Sequence, residues 1–381
     1  MPARRCVTTT ACLGRRAASL PCRSDAPHDA AVTWLARHPG AVLAHRLTAS
    51  PPAPSSHRRF PPMFARRHLL AGAATVMATR QARAVAFPQR PLRLVVSSSP
   101  GASLDTLARI LSPALASRLG QPVVVENQGG ANGLLAAHQV ARAEPDGHTL
   151  LLTGDAIVLA SLAQPQAGIG FETAFAPVTQ AVRAAQILVT HPAAPFRNIA
   201  EYVATVRARP GTLNIGLPAQ GGIAQVVHEL LGRQLGGLRV EYVSYRGGGP
   251  AIADLLARST DALVITLPAI TEQVRQGGIL PLAICTSARD PALPEVPSLA
   301  ETVAPGFDVD SWQGVLAPAQ TPAAVVARLH GALAGALGEA AVAERLTGLG
   351  FAITGLGPEA FRTRARQASE AFAPVVRSFG A

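Results

Sequence analysis

The stretch LRLVVSSSPGASLDTLARIL, from Leu92 to Leu111, decides the fold of this chain. A short apolar run is followed by Pro100-Gly101 and then by apolar residues at helical spacing. This order predicts a buried strand, a tight turn and an amphipathic helix. The first N–H groups of such a helix have no partner inside it and carry the positive end of its dipole. The corner therefore suits an anionic group, either a nucleotide phosphate or the carboxylate of a molecule that is only bound.

The alternation of strand and helix continues along the chain. Short apolar runs closed by turn residues predict strands. Alternation of this kind indicates an α/β fold with parallel sheets flanked by helices, and eight strands over about 200 residues fit two small sheets better than one large sheet. The predicted strands are 93–99, 121–127, 148–154, 186–192, 212–218, 239–245, 261–268 and 280–287.

Helical periodicity fills the segments between these strands. Apolar residues recur there at intervals of three and four, which predicts amphipathic helices. The tail shows the same period over two longer segments and predicts two long helices. The predicted helices are 103–120, 133–145, 198–211, 222–237 and 249–259, followed by 321–350 and 358–380 in the tail.

The net charge is confined to the front of the chain. The formal charge is +11, and the sequence contains no lysine. Residues 1–86 carry 13 Arg and 2 Asp, whereas residues 87–381 carry 21 Arg and 21 acidic residues. The part predicted to fold is electrically balanced, so its composition does not support a nucleic-acid-binding face. We expect no nucleic-acid partner.

The first 86 residues have the character of leader and export sequences. Residues 1–62 are rich in Arg, Pro, Ala and Ser without periodicity, which predicts a disordered leader or a start codon assigned too far upstream. Residues 63–86 contain Arg66-Arg67, a short apolar run and the ending Ala84-Val85-Ala86. These features predict a signal peptide, and hence a periplasmic mature chain that begins near Phe87. The arginine pair fits both the Sec and the twin-arginine routes. The alternative is an amphipathic membrane anchor.

The cysteines follow the same division. Cys6, Cys12 and Cys22 lie in the leader, and Cys285 stands alone in the rest of the chain. One cysteine cannot form an internal disulfide, so the fold must rest on its apolar core. Cys285 lies in an apolar run typical of a buried strand, which favours core packing over a reactive thiol.

Several catalytic and cofactor motifs are missing from the sequence. The corner PGASLD lacks the G-x-G-x-x-G spacing, and the glycine-rich segments 129–133 and 246–250 fit neither a dinucleotide nor a Walker A motif. No G-x-S-x-G occurs, and the histidines after residue 87 lack metal-ligand spacing. We therefore expect no cofactor, no metal and no catalytic residue.

Five polar or glycine-bearing corners follow predicted strands. In parallel α/β sheets, ligands bind beyond the carboxyl ends of the strands. Helix N-termini converging there would hold a carboxylate mainly through backbone N–H groups. Each corner alone also fits an ordinary tight turn, but their number and similar placement favour a site. The candidate ligand-binding residues are Gly101, Ala102, Ser103, Asp105, Thr153, Gly154, Asp155, Ala219, Gln220, Gly221, Gly222, Tyr245, Arg246, Gly247, Thr266 and Pro268.

Blocks along the chain resemble a known family. They lie in 88–154, in RARPGTLNIG (207–216), in VEYVSYRGGGPAIADLLARSTDAL (240–263), in ICTSARDPALPEVPSLAE (284–301) and in DSWQGVLAPAQTP (310–322). Together they are similar to the Bug-type, TctC-like solute-binding proteins, the extracytoplasmic receptors of tripartite tricarboxylate transporters. The resemblance covers essentially all of 87–381.

This resemblance implies a two-domain flytrap of the type II-like periplasmic-binding-protein kind. Each domain would be a mostly parallel sheet flanked by helices, with the ligand cleft between them. Domain 1 would contain 87–188 and 311–381, domain 2 would contain 189–310, and the crossing strands would be 186–192 and 312–318. The resemblance also implies a monomer that performs no chemistry. It would bind a small carboxylate and deliver it to the permease subunits of a tripartite tricarboxylate transporter.

Three corners depart from the family pattern. Ala102 replaces the second glycine of the usual PGG-[ST]-x-D sequence, while Ser103 and Asp105 fit it. In the third corner Pro218 and Ala219 remove hydrogen-bond donors, since proline has no N–H. Arg246 is the exception among corners that otherwise lack cations. These changes weaken the expectation that a ligand typical of the family is held in the usual way.

Asp155 in the second corner occupies a position where an uncharged polar residue is more usual. A carboxylate facing the cleft would repel an anion but could pair with an ammonium group. We therefore hypothesise an amine-bearing acid or a polar neutral ligand. The alternative is that Asp155 only caps the following helix.

Three other functions stay open at this point. One is a sensory or orphan receptor with a membrane signalling partner. A second is an α/β hydrolase- or lyase-like enzyme that uses the cleft, with Asp105, Asp155 or His228 as acid–base groups, although no nucleophile–base pair is evident. The third is a paralogue that binds nothing, which the changes at Ala102 and Pro218 suggest.

Overall fold

The structure of the protein is a computed structural model that describes residues 87–380. The predicted leader and signal peptide lie outside the described residues. Within the described range there are ten strands, and each of the eight predicted segments overlaps one, although β4 begins eleven residues before the predicted 186–192. They are β1 Leu92–Val96, β2 Val123–Asn127, β3 Thr149–Gly154, β4 Phe175–Thr190, β5 Asn214–Leu217, β6 Glu241–Ser244, β7 Ala262–Thr266, β8 Leu280–Ile284, β9 Asp310–Pro318 and β10 Phe351–Leu356.

Eleven α-helices accompany the strands in the same range. The five helices predicted between strands are confirmed, and three further helices between strands were not predicted. The helices are α1 Ser103–Leu119, α2 Leu134–Ala141, α3 Ala156–Ala163, α4 Phe171–Ala174, α5 Ile199–Ala208, α6 Ile223–Gln234, α7 Gly248–Leu256, α8 Thr271–Arg275, α9 Ala323–Leu337, α10 Ala340–Gly348 and α11 Pro358–Val376.

Helix α1 shows how the opening stretch folds. Its buried face contains Leu107, Leu111 and Leu115, which lie four residues apart and so form one apolar stripe. The helix ends at Gly120, whose φ of 69° is left-handed and whose N–H donates to the Ala116 carbonyl. The stripe packs α1 onto β1, which places the N-terminus of α1 at the carboxyl end of that strand.

Two groups of parallel strands form the body of the sheet. Strands β2, β1 and β3 lie side by side in that order, and β6, β5 and β7 form a second parallel group. Every residue of β3 is buried, as expected for a parallel strand covered on both faces. The carboxyl ends of each group are followed by the predicted corners.

The long strand β4 joins the two groups. Its residues 175–185 pair antiparallel with β9, while residues 186–190 pair antiparallel with β7 and β8. Strand β9 also pairs with β3, so the hydrogen-bonded order is continuous through ten strands. The two predicted small sheets are joined into one continuous order, because β4 is long enough to pair in both groups.

The tail differs from the two long helices predicted for it. Segment 321–350 contains α9 and α10, whose axes are bent by 72° at Gly338-Glu339. Glu339 is extended, with φ −69° and ψ 126°, and the bend lets Leu346 of α10 enter the same core as α9. The prediction of a single helix over 321–350 is therefore wrong. Strand β10, which follows this segment, pairs with β4 before α11 begins.

Apolar side chains on alternate sides of the strands build the core. In β1, Leu92, Leu94 and Val96 pack into one cluster with α1 and α9, while Val95 packs into another with α2 and α11. Two further clusters take the opposite faces of the last part of β4. Helices thus cover both faces of the sheet, and the carboxyl ends of the parallel strands stay accessible.

Within residues 87–380 no single helix has the length and apolar character needed to cross a membrane. Helices α9 and α10 meet both criteria only when they are taken together, as a bent pair.

Cys285 is 1% exposed and follows β8 directly, which agrees with core packing. The domain limits 87–188 with 311–381 and 189–310 stay a prediction.

Candidate ligand-binding site

A cavity of about 800 Å³ lies where the predicted corners meet. Its volume is in the range of about 300–1,000 Å³ that is usual for small-molecule sites. Both parallel groups of strands contribute to its wall, together with β4 and β9. The candidate residues that line it are Ala102, Ser103, Gly154, Asp155, Ala219, Gln220, Gly221, Gly222, Tyr245, Arg246, Gly247 and Thr266.

Helix α2 continues the 3-10 turn 131–133, and its first residue, Leu134, lines this cavity. Four further helices begin at the cavity. The first residues of α1, α3, α6 and α7 are Ser103, Ala156, Ile223 and Gly248, and all four line the wall. None of these helices has a side chain that caps its N-terminus. Helix α5, which does not begin at the cavity, is capped by Asn198 in the ordinary way. The N–H groups of four helix ends are therefore left for a ligand.

The first corner is fixed from both sides. Ser103 Oγ accepts a hydrogen bond of 2.8 Å from Gln313 Nε2 on β9. Asp105 lies behind the corner, where its carboxylate accepts bonds of 2.9 Å from Gly101 N and from Arg109 Nε. Burial works to raise the pKa of Asp105, but hydrogen bonds from Arg109 and Gly101 outweigh it and lower the pKa. Asp105 is thus an ionised group that shapes the corner.

Asp155 directly precedes α3 but its side chain does not cap that helix. Its side chain makes no capping bond, and Oδ2 instead accepts a bond of 3.0 Å from Trp312 N on β9. The residue is 3% exposed. Burial raises the pKa of Asp155 to about 8; the Trp312 bond opposes this shift, and Asp310 adds to it. The carboxyl is therefore mostly protonated at neutral pH. Asp155 is also one of the residues that line the cavity.

The corners of the two parallel groups approach each other around the cavity. A Cβ at Gly249, the second residue of α7, would stand 3.1 Å from the Pro100 carbonyl in the corner after β1. Asn132 Nδ2 donates to the Gly221 carbonyl at 3.4 Å. These contacts join segments of the two parallel groups beside the cavity.

Four candidate residues do not line this cavity. Gly101 and Pro268 face a second cavity of about 540 Å³, which α8 and α10 also line. Thr153 is 1% exposed and accepts a bond of 2.9 Å from Ser97 Oγ. Asp105 supports its corner from behind, as described above. These four residues position the wall without forming it.

Sequence reasoning missed part of the wall. Gln186 on β4 and Gln313 on β9 line the cavity although their strands are almost entirely buried. A polar residue within a buried strand was the signal available for both. The other missed lining residues that are polar or carry a polar group are Ser97, Ser98, Asn132, Gln164, Gln225, Ser244, Ser311, Trp312 and Arg377.

The acid–base groups of the enzyme alternative do not come together. His228 is 1% exposed and does not line the cavity; its ring is hydrogen-bonded to Tyr202 and Tyr242 at 2.7 Å each. Burial lowers the pKa of His228 to about 4. Among Asp105, Asp155 and His228, only Asp155 reaches the wall. Residues 87–380 also contain no cluster of three His, Cys, Asp or Glu that could hold a metal ion.

A family model decides the relationship of this chain to known proteins. The model of the tripartite tricarboxylate transporter family receptor, TctC, matches residues 107–366. The chain belongs to this family. Protein BugT of Bordetella pertussis is 32% identical over 297 residues, which cover 77% of this chain and 91% of BugT. The predicted resemblance to Bug-type, TctC-like proteins is confirmed.

Solved structures support the fold class of this TctC-family chain. Periplasmic binding protein BugD has a TM-score of 0.73 and 30% identity, over 77% of this chain and 99% of BugD. MatC from Rhodopseudomonas palustris, solved with bound malate, has a TM-score of 0.72 and 31% identity, over 76% of this chain and 100% of MatC. The predicted α/β periplasmic-binding-protein flytrap is confirmed, and the fold is one of substrate-binding proteins.

The departures from the TctC pattern lie on the cavity wall. Ala102, Asp155, Pro218 and Ala219 all line it.

Proposed function

We propose that the protein is an extracytoplasmic solute-binding receptor that captures a small carboxylate metabolite. The observation that carries this proposal is the convergence of four uncapped helix N-termini on one cavity. Each N-terminus offers backbone N–H groups and the positive end of a dipole. The receptor would then deliver its ligand to the permease subunits of a tripartite tricarboxylate transporter.

Backbone groups would provide most of the attraction for the carboxylate. A negative group near a helix N-terminus gains about 0.3–1 kcal/mol at the surface and up to about 2 kcal/mol when partly buried. Several such ends acting together suffice to hold an anion without a dedicated cation. The cavity wall contains two arginines, Arg246 and Arg377, and neither is required by this mode of binding.

Similarity to other proteins supports the ligand class and the partner. MatC, which shares the fold over its whole length, was solved with malate, a small carboxylate. The family description is that of a transporter receptor, which supports delivery to a membrane permease. BugD is a periplasmic binding protein, which agrees with the export signal predicted at 63–86. We propose that the mature protein is periplasmic, monomeric and without catalytic activity.

The first experiment measures thermal unfolding of the purified protein against small acids. The panel contains dicarboxylates, tricarboxylates, aromatic acids and amino acids. A ligand that binds only the folded state at about 100 times its Kd adds roughly 2.7 kcal/mol of stability and raises the unfolding midpoint. One selective shift, with the acid recovered unchanged, supports a receptor. No shift with any acid in a cooperatively folded protein contradicts carboxylate capture.

Proline substitution at the first helical position tests the role of the helix ends. Ser103→Pro removes an N–H of α1 that has no acceptor in the described chain, at a position where proline is tolerated. We expect affinity to fall roughly tenfold or more, since a hydrogen bond to a charged group contributes about 1.5–3 kcal/mol. Ser103→Ala keeps the N–H and separates the effect of the hydroxyl.

Ala323→Pro is the matched control for this experiment. Ala323 is the first residue of α9, it is exposed, and it does not line the cavity. The residue before it is extended, with ψ 139°, as is the residue before Ser103, with ψ 164°. Equal affinity in the two proline variants would show that α1 does not hold the carboxylate.

Delivery and location are tested in the cells that produce the protein. Osmotic shock should release a mature form that begins near Phe87. Removal of the protein should abolish uptake of the acid identified by unfolding. Uptake that persists unchanged would separate the protein from transport and favour the sensory alternative.

A further inference from the structure

Three buried polar atoms of cavity-lining residues have no hydrogen-bond partner in the described part of the chain. Two are the acceptors Asp155 Oδ1 and Gln313 Oε1, whose residues are each 3% exposed, and the third is the indole Nε1 of Trp312, a donor. Buried polar atoms in native proteins are paired in the large majority of cases. The two acceptors suit a ligand that brings donors, and a cationic ligand would replace the proton that Asp155 carries in the ligand-free protein.

The two acceptor atoms come from neighbouring positions of one strand pair. Gly154 and Gln313 are register partners between β3 and β9, and Asp155 follows Gly154 directly. The other half of each side chain is fixed. Trp312 N donates to Asp155 Oδ2 at 3.0 Å, and Gln313 Nε2 donates to Ser103 Oγ at 2.8 Å. These bonds leave Asp155 Oδ1 and Gln313 Oε1 without a partner in the described chain.

The charges around Asp155 also favour a ligand that brings a positive group. Asp155 is the one acidic residue among those of the described chain that line the cavity. Asp310 and Arg364 act on it from β9 and α11. Both oxygens of Asp310 are already paired, with Arg183 at 2.7 Å and with Arg364 at 2.8 Å. The described chain thus supplies a buried acidic group without a cation of its own.

We propose that Asp155 and Gln313 form a subsite for an ammonium group, so that the ligand is a small acid that carries an amine. The inference rests on the proposed function, in which helix N-termini hold the carboxylate. An ammonium group has three donors and no acceptor, so it satisfies both oxygens and opposes the charge of Asp155. A hydroxyl group brings one donor and no charge. A carboxylate here would face the Gln313 oxygen unfavourably.

Binding of the amine is coupled to proton release. Because burial raises the pKa of Asp155 to about 8, the carboxyl is mostly protonated at pH 7 before the ligand binds. An adjacent cation lowers that pKa, so the proton leaves and affinity rises between pH 6 and 8. A ligand that instead placed a second carboxylate there would need the protonated form. Its binding would take up a proton, and its affinity would fall as the pH rises through 8.

The test is isothermal titration of the purified protein with matched acids. One series is succinate, L-malate and L-aspartate, and the other is glutarate, 2-hydroxyglutarate and L-glutamate. In each series, one hydrogen of a methylene group is replaced by a hydroxyl group and then by an ammonium group. We expect the amine-bearing member to bind roughly 30-fold more tightly than the unsubstituted acid, as for a buried charge pair. Titration in two buffers of different ionisation enthalpy should show proton release near pH 7.

Two variants assign the effect to this subsite. Asp155→Asn keeps the shape but removes the charge, and should weaken the amine-bearing acid by roughly 30-fold while changing the unsubstituted acid little. Gln313→Glu adds a second negative charge and should weaken the unsubstituted acid. Asp290→Asn is the matched control, because Asp290 is partly buried but does not line the cavity. Unfolding midpoints show that each variant is folded.

The outcomes separate the inference from the proposed function. Equal binding along each series, unchanged L-aspartate and L-glutamate affinity in Asp155→Asn, or proton uptake on binding overturns the ammonium subsite. If unsubstituted acids still bind in those cases, carboxylate capture stands by itself. If no member of either series binds, the ammonium subsite is overturned, whereas carboxylate capture falls only if the wider acid panel also fails to bind. A preference for the amine that Asp155→Asn abolishes supports both.

Discussion

Gly247 packs against Ser99 so closely that no side chain fits between them. A Cβ at Gly247 would lie 2.9 Å from the Cβ of Ser99 and would overlap its hydroxyl. Gly247 follows β6 and Ser99 follows β1, so this contact joins the corners of the two parallel groups. The φ of Gly247 is 139°, which L-residues rarely adopt. The close approach of the two corners therefore depends on glycine at this position.

Gly247→Ala should weaken ligand binding because the added methyl separates the two corners. The unfavourable φ adds about 1–3 kcal/mol of backbone strain. We expect at least a tenfold loss of affinity for any acid that the unaltered protein binds, about 1.4 kcal/mol. Titration calorimetry measures the loss.

Gly237→Ala provides the control for backbone strain. Gly237 has a φ of 113°, and a Cβ there would meet nothing within 4 Å. Both variants should lose stability, but only Gly247→Ala should lose affinity. Equal losses of affinity in Gly247→Ala and Gly237→Ala would show that the contact between Gly247 and Ser99 does not affect ligand binding.

Asp155 should make the ligand-free protein less stable as the pH rises. Its folded-state pKa of about 8 lies above the ordinary value of 3.8, so the folded state holds this proton more tightly than the unfolded chain. The resulting stabilisation is complete below about pH 4 and is lost by roughly 1.4 kcal/mol per pH unit up to about pH 8. Asp155→Asn should remove this slope.

Urea unfolding at pH 5, 6, 7 and 8 measures the difference between the unaltered protein and Asp155→Asn. The variant should gain relative stability with each step. A difference that does not depend on pH would contradict a protonated Asp155 in the cavity wall.

His228 should act in the opposite direction on the acid side. Its folded-state pKa of about 4 lies below the ordinary 6.5 because the ring is buried. Stability from neutral His228 is therefore complete above about pH 6.5 and falls by roughly 1.4 kcal/mol per pH unit towards pH 4. His228→Gln, which keeps an amide near Tyr202 and Tyr242, should lose this dependence in urea unfolding between pH 4 and 7. A slope retained by the variant would assign it to other groups.

Cys285 should be unreactive in the folded protein. Burial raises its pKa to about 12, and the thiolate is the reactive form. If processing occurs near Ala86, the mature chain keeps this one thiol and loses Cys6, Cys12 and Cys22. An aromatic disulfide reagent should then detect no thiol before unfolding and one in guanidinium, and none at all in Cys285→Ser. Four thiols after unfolding would contradict processing, and a fast native reaction would contradict burial.

Local pattern determined the parallel strands and most of the corners. The runs at β1, β3, β5 and β7 are apolar and closed by glycine, proline or polar residues, and their helices show the apolar spacing that a single buried face requires. These signals lie within a few residues of the structure that they predict. The sequence therefore indicated the α/β class. Of the sixteen candidate residues that it predicted, twelve line the cavity.

Distant pairing decided what the sequence could not show. Residues 175–185 are rich in alanine and have no strong strand pattern, yet they form β4 because β9 and β10 supply hydrogen-bond partners on both edges. The bend after α9 depends on a core shared with α1. Gln313 joined the wall only because β9 pairs with β3, which brings it beside Asp155. By itself, the sequence determined which segments are strands, helices and corners, because those signals are local. Only the tertiary structure decided which polar groups share the cavity, because their neighbours come from far along the chain.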